Sequence, residues 1–535
     1  MQQVYWRTLR SNGVLLPPPY DPKGLHLYIK GRRIALTPLA EEMAYNWAKK
    51  KDTQYVRDSV FISNFMKDFS QNLPEPYKNT EYTDIDFSEF YKFVDDERKA
   101  KESMSKEERK KVAQERKRIK EELKNTFGYA IIDGRKVEVA NWIVEPPGIF
   151  MGRGMHPLRG RWKYRVEARD ITLNLDENAP IPKGQWGSIV HDHHSMWLAR
   201  WMDKLTGKMK YVWPHDSSFL QQERNKEKYD RAAKLNKYID KIRETIKKDL
   251  KSQDQRTRQV ATVCYLIDRL GMRVGDEKDP DEADTVGATT LRVEHVKIHN
   301  PDIFFDFLGK DSVRWTKTIS QAEPSLIQNM KEFIKNKKPS DEIFDGITSR
   351  VVNSYLSKMA THITAKMFRT FHATKRVEEF LSNEVPRNIT QSDEYTKIYY
   401  AKRANLEAAI LCNHKKTPPK NWEDSIKKKQ SKLEELIVKS PKNEKEKARL
   451  EQRIQKLNLQ LDLALKTKDY NLNTSLKNYI DPRIFKAWCS YVGLDWRKLY
   501  TASLQRKFAW VSRSNAKWKA AEPQVLEKTP LISSK

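Results

Sequence analysis

WEDSIKKKQSKLEELIVKSPKNEKEKARLEQRIQKLNLQLDLALKT, residues 422–467, is the stretch that sets the architecture. Ile426, Leu433 and Ile437 recur at heptad-like intervals. Leu450, Ile454, Leu457, Leu461 and Ala464 then follow the 4-3-4-3 spacing of a coiled coil. Pro441 interrupts the run, because its ring cannot continue a helix. The pattern predicts two helices folded back as an antiparallel hairpin that protrudes from the body. Its remaining faces are crowded with Lys and Glu, as in a solvated spacer or an arm reaching along a polyanion. Just beyond it lies SLKNYIDPR, residues 475–483, with one phenol, Tyr479, among polar and basic residues. Asp481-Pro482 reads as a helix start with proline in the first turn. A phenol in such a setting is either plain surface or a nucleophile.

The whole chain bounds what that phenol could serve. Its 535 residues exceed one hydrophobic core, so several domains are expected. Lys and Arg number 101 against 72 Asp and Glu, a net charge of +29, which favours a polyanionic partner, most simply nucleic acid. A membrane surface is the weaker reading of the same charge. The three cysteines, Cys264, Cys412 and Cys489, form no CxxC pair and fit a reducing compartment. No transmembrane run or signal peptide is present.

In chain order, residues 26–36 alternate and predict a hairpin with Gly31 at the turn, and roughly 20–100 reads as one small domain. Residues 102–125 predict a charged, solvated helix. Residues 126–215 read as a β-containing unit with long loops. One loop, Pro146–Gly160, sets Arg153, His156 and Arg159 among glycines and could contact phosphate. From 222 the chain turns helical, with Tyr229, Ala233, Leu235, Ile239, Ile242, Ile246 and Leu250 on one face. A second helix carries Val260, Val263, Cys264, Ile267 and Leu270 and ends near Gly271. Residues 289–319 alternate and predict a β-hairpin turning at Gly309-Lys310-Asp311-Ser312. Residues 350–369 and 393–413 read as further amphipathic helices. Phe508 and Trp510 are expected to fold back on the core, and 520–535 to fray. The fold class is therefore α+β and multidomain.

Metal-free phosphodiester cleavage needs an attacking oxygen, charge on the phosphoryl oxygens and a proton for the leaving alkoxide. Tyr, Arg, His and Lys can supply these. No HExxH, DxD or CxxC…CxxC array appears, so metal-dependent cleavage is not indicated. Chemistry alone does not pick particular residues from so many cations and phenols.

Ordered motifs do. PPPYDP (17–22), MSKEERKK (104–111), VEPPGIFMGRGMHP (144–157) and RLGMRVGDEKDPDEADTVGATTLRVEH (269–295) are followed by DFLGKDSVRW (306–315) and TAKMFRTF (364–371). RANLEAAILCNHKKTPPK (403–420), SLKNYIDPRIFKAWC (475–489) and QRKFAW (505–510) complete the set. In content and order they resemble the eukaryotic type IB DNA topoisomerases, relatives of the tyrosine recombinases. The resemblance implies a nucleophile at Tyr479 and a phosphate-holding set of Arg273, Arg369 and His414, with Lys310 as proton donor to the leaving 5′-oxygen. It implies DNA contacts from Arg153, Asp311 and Asn478, and neither ATP nor metal as cofactor. It also implies a bilobed monomeric clamp around duplex DNA, working in the nucleus. The divisions would be an N-terminal cap over 1–214, a mainly helical catalytic lobe over 215–417, a coiled-coil linker over 418–467 and a tail over 468–535. An architectural duplex-binding protein and a tyrosine recombinase are the alternatives. Two departures stand out: Leu476-Lys477 where the family has the reverse order, and Met151 where it has arginine.

Overall fold

The computed structural model describes residues 3–276 and 286–518. The chain is a mixed α/β protein of two units, the first running to Gln221 and the second from Gln222.

The first unit has two cores. One is built on the hairpin β2 (His26–Ile29) and β3 (Arg32–Ala35), in a sheet ordered β3-β2-β4 with β4 at Ile85–Asp86. The hairpin turns at Lys30-Gly31, both with positive φ, as the sequence predicted. Helices α1 (Pro38–Ala48), α2 (Ser59–Phe69) and α3 (Ser88–Ser103) cover it. Their inward faces supply Trp47, Phe61, Phe65, Phe69 and Phe90, all fully buried. The second core joins β1 (Leu9–Ser11), β5 (Tyr129–Ile132) and β6 (Arg135–Glu138), ordered β1-β5-β6. It also holds the sheet β10-β9-β11-β12, from β9 (Ile171–Asn174), β10 (Ser188–Val190), β11 (Ala199–Met202) and β12 (Met209–Val212). The chain thus starts in this core at Trp6 and Leu9, leaves for the aromatic one and returns at Ala130. The short pair β7 (Gly148–Ile149) and β8 (Trp162–Lys163) packs with the aromatic core, where Met151 is also half-buried. The departure at 151 therefore puts an apolar side chain where packing uses it.

The charged run expected as one helix over 102–125 is broken. Helix α3 stops at Ser103, and α4 (Lys106–Phe127) starts afresh from Ser105, whose hydroxyl and Glu108 form a reciprocal capping box. That local signal outweighs helical continuity.

The second unit also has two cores. In the first, α6 (Ile239–Asp249), α7 (Gln255–Leu270), α8 (Pro324–Ile334) and α9 (Ser349–Met359) surround an antiparallel sheet. Its strands are β13 (Val296–His299), β14 (Asp302–Gly309) and β15 (Val313–Ile319). In the other, α11 (Glu394–Leu411), α14 (Leu472–Asn478), α15 (Pro482–Val492) and α16 (Ala502–Lys507) pack together. Helix α10 (Ala365–Asn383) runs through both: Phe368 and Phe371 belong to the first core, Ala373, Val377 and Phe380 to the second.

Two further predicted helices are split. The face from Tyr229 to Leu250 is shared by α5 (Phe219–Lys234) and α6, with a 3-10 turn at Leu235–Lys237 between them. Tyr229 and Leu235 consequently serve different cores, and Ala233 is exposed while Ala232 is buried. Residues 350–369 divide into α9 and α10 at Ala360–Thr364.

The 422–467 stretch forms α12 (Trp422–Ile437) and α13 (Glu444–Lys466), which pack on each other, α13 also lying on α11. Leu457 and Leu461 are buried as expected. Leu436 is the buried residue at the end of α12, and Ile437 is 60% exposed, so the stripe there is one residue out from the predicted heptad. Phe508 and Trp510 do pack into the core formed by α11, α14, α15 and α16, and residues 520–535 lie outside the described range. No helix among the described residues is long and apolar enough to cross a membrane.

Candidate active site

The five residues singled out at the sequence level all lie in the second unit. Arg273 follows α7, which ends on the left-handed Gly271 at φ 63°. Beyond it, Ala288 N–H donates to the Arg273 carbonyl at 2.8 Å and Thr289 N–H to that of Val274 at 2.7 Å. Glycines at 275 and 287 permit this pairing, since a Cβ at 287 would sit 2.4 Å from the Gly275 Cα. Lys310 opens the 3-10 turn between β14 and β15. Ser312 in that turn has φ 55°, an uncommon conformation that holds the hairpin tip in one shape. Arg369 lies in α10, between residues serving the two cores, and only 4% of it is exposed. His414 follows α11 through the left-handed Asn413 and is likewise buried. Tyr479 caps α14.

Four of them, Arg273, Lys310, Arg369 and His414, line one cavity of about 150 Å³, together with Trp315 and Asn471. No Asp or Glu lines it among the described residues, and Lys415 adds another cation. Tyr479 meets two of them, His414 and Arg369. Its ring centroid is 4.9 Å from that of His414, and the Arg369 Cζ stands 5.0 Å from its ring centre.

The backbone around Tyr479 is fixed from three helices. Thr374 of α10 donates its hydroxyl to the Tyr479 carbonyl at 3.3 Å and accepts from Asp481 N–H at 3.0 Å. The Ser475 hydroxyl donates to the Asn405 side chain of α11 at 2.8 Å. Lys228 of α5 donates to the Asn478 carbonyl. Leu476 is buried in the core and Lys477 is exposed, so the Leu-Lys order places the apolar side chain inward on the short α14. Burying that leucine contributes about 1.5–3 kcal/mol.

Burial raises the Tyr479 phenol, but the guanidiniums of Arg369 and Arg273 lower it by more, and it lies below its ordinary value. Near 5 Å a charge pair is worth a few kcal/mol at an effective dielectric of about 20. That is the order of a burial penalty, and two arginines act against one burial. The phenolate, the better nucleophile, is thereby favoured.

His414 is driven the other way: burial, then the charges of Arg369 and Arg273, push it down to about 3. Neither ring nitrogen has a hydrogen-bond partner among the described residues. It is thus a neutral imidazole with one N–H to offer. We expect its ring resonances not to titrate between pH 8 and 5 in an NMR titration, and a midpoint near 6.5 would contradict this. The unfolded chain takes up this proton below about pH 6.5 and the folded chain does not. This residue's contribution to stability is therefore full above that pH and declines as pH falls toward 3.

Arg369 donates from Nη1 to the Gly271 carbonyl and from Nη2 to the Cys412 carbonyl at 2.9 Å, while its buried Nε has no hydrogen-bond partner among the described residues. The guanidinium thus faces Tyr479 while anchored to the two chain segments that carry Arg273 and His414. Such a site can hold a phosphodiester by its non-bridging oxygens, present a phenolate to phosphorus and supply a proton from Lys310.

The loop in the first unit meets its expectation only in part. Arg153 is exposed. Arg159 is buried, and its guanidinium is taken by Asp58, the N-cap of α2, at 2.6 and 3.0 Å. His156 is buried too, its Nδ1 accepting from Leu158 N–H at 3.0 Å. Both side chains are buried within the first unit. Asn478 is half-buried beside Tyr479, and the Asp311 side chain lies outside what is described.

Comparison with known proteins covers nearly the whole chain. The family described as eukaryotic DNA topoisomerase I matches through its DNA binding fragment over residues 4–214 and its catalytic core over 217–448. A C-terminal topoisomerase domain matches over 451–520. DNA topoisomerase 1 of Homo sapiens is 35% identical over 551 residues, covering 95% of this chain and 71% of the human protein. DNA topoisomerase 1 of Chlorocebus aethiops is also 35% identical, with 95% and 70% covered. DNA topoisomerase 1 beta of Arabidopsis thaliana is 35% identical over 545 residues, covering 95% of this chain and 58% of its own length.

Proposed function

The chain belongs to the eukaryotic DNA topoisomerase I family and is a type IB enzyme relaxing supercoiled duplex DNA; on that footing we propose that Tyr479 is its nucleophile and that Arg273, Lys310, Arg369 and His414 complete the active site. The observation that carries the assignment is the meeting of the Tyr479 ring with His414 and Arg369, at a cavity that Arg273 and Lys310 also line.

The Tyr479 oxygen attacks phosphorus and the bond to the 5′-oxygen breaks. A 3′-phosphotyrosyl link forms, and the 5′-oxygen leaves with a proton from Lys310. Arg273, Arg369 and the neutral His414 hold the non-bridging oxygens as charge builds on them. One phosphate ester has replaced another, so no ATP is consumed. The duplex beyond the nick rotates, relieving supercoils of either sign, and the 5′-hydroxyl then reverses the attack.

Lys310→Ala is expected to slow single-turnover cleavage about 10²–10⁴-fold. A 5′-bridging phosphorothiolate, whose sulfur leaves without a proton, should recover most of that loss. A defect that persists with the sulfur leaving group removes Lys310 from the acid role.

The family's wider arrangement is part of this reading: a monomer closing on duplex DNA, with a cap over 1–214, a core over 215–417, a linker over 418–467 and a tail over 468–535, acting in the nucleus. The division of the chain after Gln221 and the packed pair α12 and α13 support those boundaries. Exposed Arg153 and the nucleophile's neighbour Asn478 are retained as DNA contacts.

A further inference from the structure

Lys317 is a cation that the mechanism above does not use. It lies on β15, the outgoing strand of the hairpin whose tip carries Lys310, and shares a strand face with the buried Trp315 and Ile319. Its Nζ donates to the Leu270 carbonyl at 2.8 Å and to the Leu411 carbonyl at 2.9 Å. Leu270 is the last residue of α7 and Leu411 the last of α11. Arg369 donates to the next carbonyl in each chain, those of Gly271 and Cys412. Two cations therefore bind four consecutive-pair carbonyls at two adjoining helix C-termini, where the partial negative charge of each helix gathers. Arg273 and His414 each come three residues beyond these ends.

We infer that Lys317 is a positioning residue, fixing the ends of α7 and α11 to each other and to the Lys310 hairpin so that Arg273, His414 and Lys310 face one phosphate. It is not a DNA ligand, because its ammonium is committed to backbone carbonyls and it does not line the cavity. Burial and then the charge of Arg369 push it down to about 8. Without it, two carbonyls beside the site lose their donor, and the helix ends are free to separate by the fraction of an ångström that catalysis is sensitive to.

The inference rests on the site assignment above. The test uses the full chain and a 5′-end-labelled duplex in single-turnover cleavage, with Lys317→Met, Lys317→Arg and Tyr479→Phe run together. Lys317→Met keeps the length and apolar stem and removes the donors. Its cleavage is expected to fall about a hundredfold, with duplex affinity within about threefold of the parent, since DNA contacts are untouched. A 5′-bridging phosphorothiolate should restore only the part of the loss that comes from a displaced Lys310, because displaced Arg273 and His414 still hold the phosphate poorly. Lys317→Arg, which can still donate to both carbonyls, should recover most of the rate. Parental cleavage by Lys317→Met, or its full restoration by the sulfur leaving group, overturns the inference alone. Loss of affinity and cleavage together in both Lys317 variants also overturns it, in favour of a purely structural lysine. Adduct formation by Tyr479→Phe would instead overturn the site assignment.

Discussion

Tyr479→Phe is expected to lower DNA relaxation by at least about four orders of magnitude while leaving duplex binding intact. The phenolic oxygen is the one atom removed, and it is the atom that bonds to phosphorus. The ring remains to pack against His414 and under Arg369, so the local structure should not change. The assay is relaxation of a supercoiled plasmid without ATP, beside a binding isotherm on a linear duplex. Equal relaxation by the Phe variant would show that another residue attacks. Loss of binding together with activity would mean that the hydroxyl supports the fold.

Arg369 is expected to give the next largest effect, and in two quantities. Arg369→Lys keeps a charge but cannot span the Gly271 and Cys412 carbonyls while also facing Tyr479, because an ammonium is a point donor and not a planar fork. Cleavage should fall about 10²–10³-fold, the usual loss for one donor to a developing oxyanion. Arg369→Ala should lose more, and should also destabilise the second unit by about 2–5 kcal/mol, through two orphaned buried carbonyls and the vacated volume. The guanidinium also lowers the Tyr479 phenol. The rising limb of cleavage against pH should therefore move to higher pH in Arg369→Ala, since the phenol loses the charge that favours its ionised form. A variant that cleaves within threefold of the parent with an unmoved limb would remove Arg369 from the site.

Much of the scaffold was legible in local sequence signals. The alternation read over 289–319 located the hairpin, whose strands run over 302–309 and 313–319, and put Lys310 at its tip. Gly271 closed α7 where the apolar periodicity stopped. Readings failed where a short capping signal or a distant partner decided the outcome. Ser105 and Glu108 cut a charged run in two, and Arg159 was claimed by Asp58, 101 residues away. Arg369 was legible only through motif resemblance, because a buried arginine between two cores looks like any other cation on an amphipathic helix. Lys317 carries a signal in its strand position. A lysine between Trp315 and Ile319 on an alternating strand points the way they do, and an inward lysine needs acceptors. The Leu476-Lys477 order was likewise readable only once α14 fixed which side meets the core.

The central claim is that Tyr479 becomes covalently joined to a DNA 3′-end. The most direct measurement traps the adduct on a duplex whose cleaved strand sheds a short 5′-hydroxyl fragment and cannot reseal, digests the protein and identifies the DNA-bearing peptide by mass spectrometry. One modified peptide spanning Tyr479, linked through a 3′-phosphate, is expected. A modification on another residue, or a link through a 5′-phosphate, would contradict it.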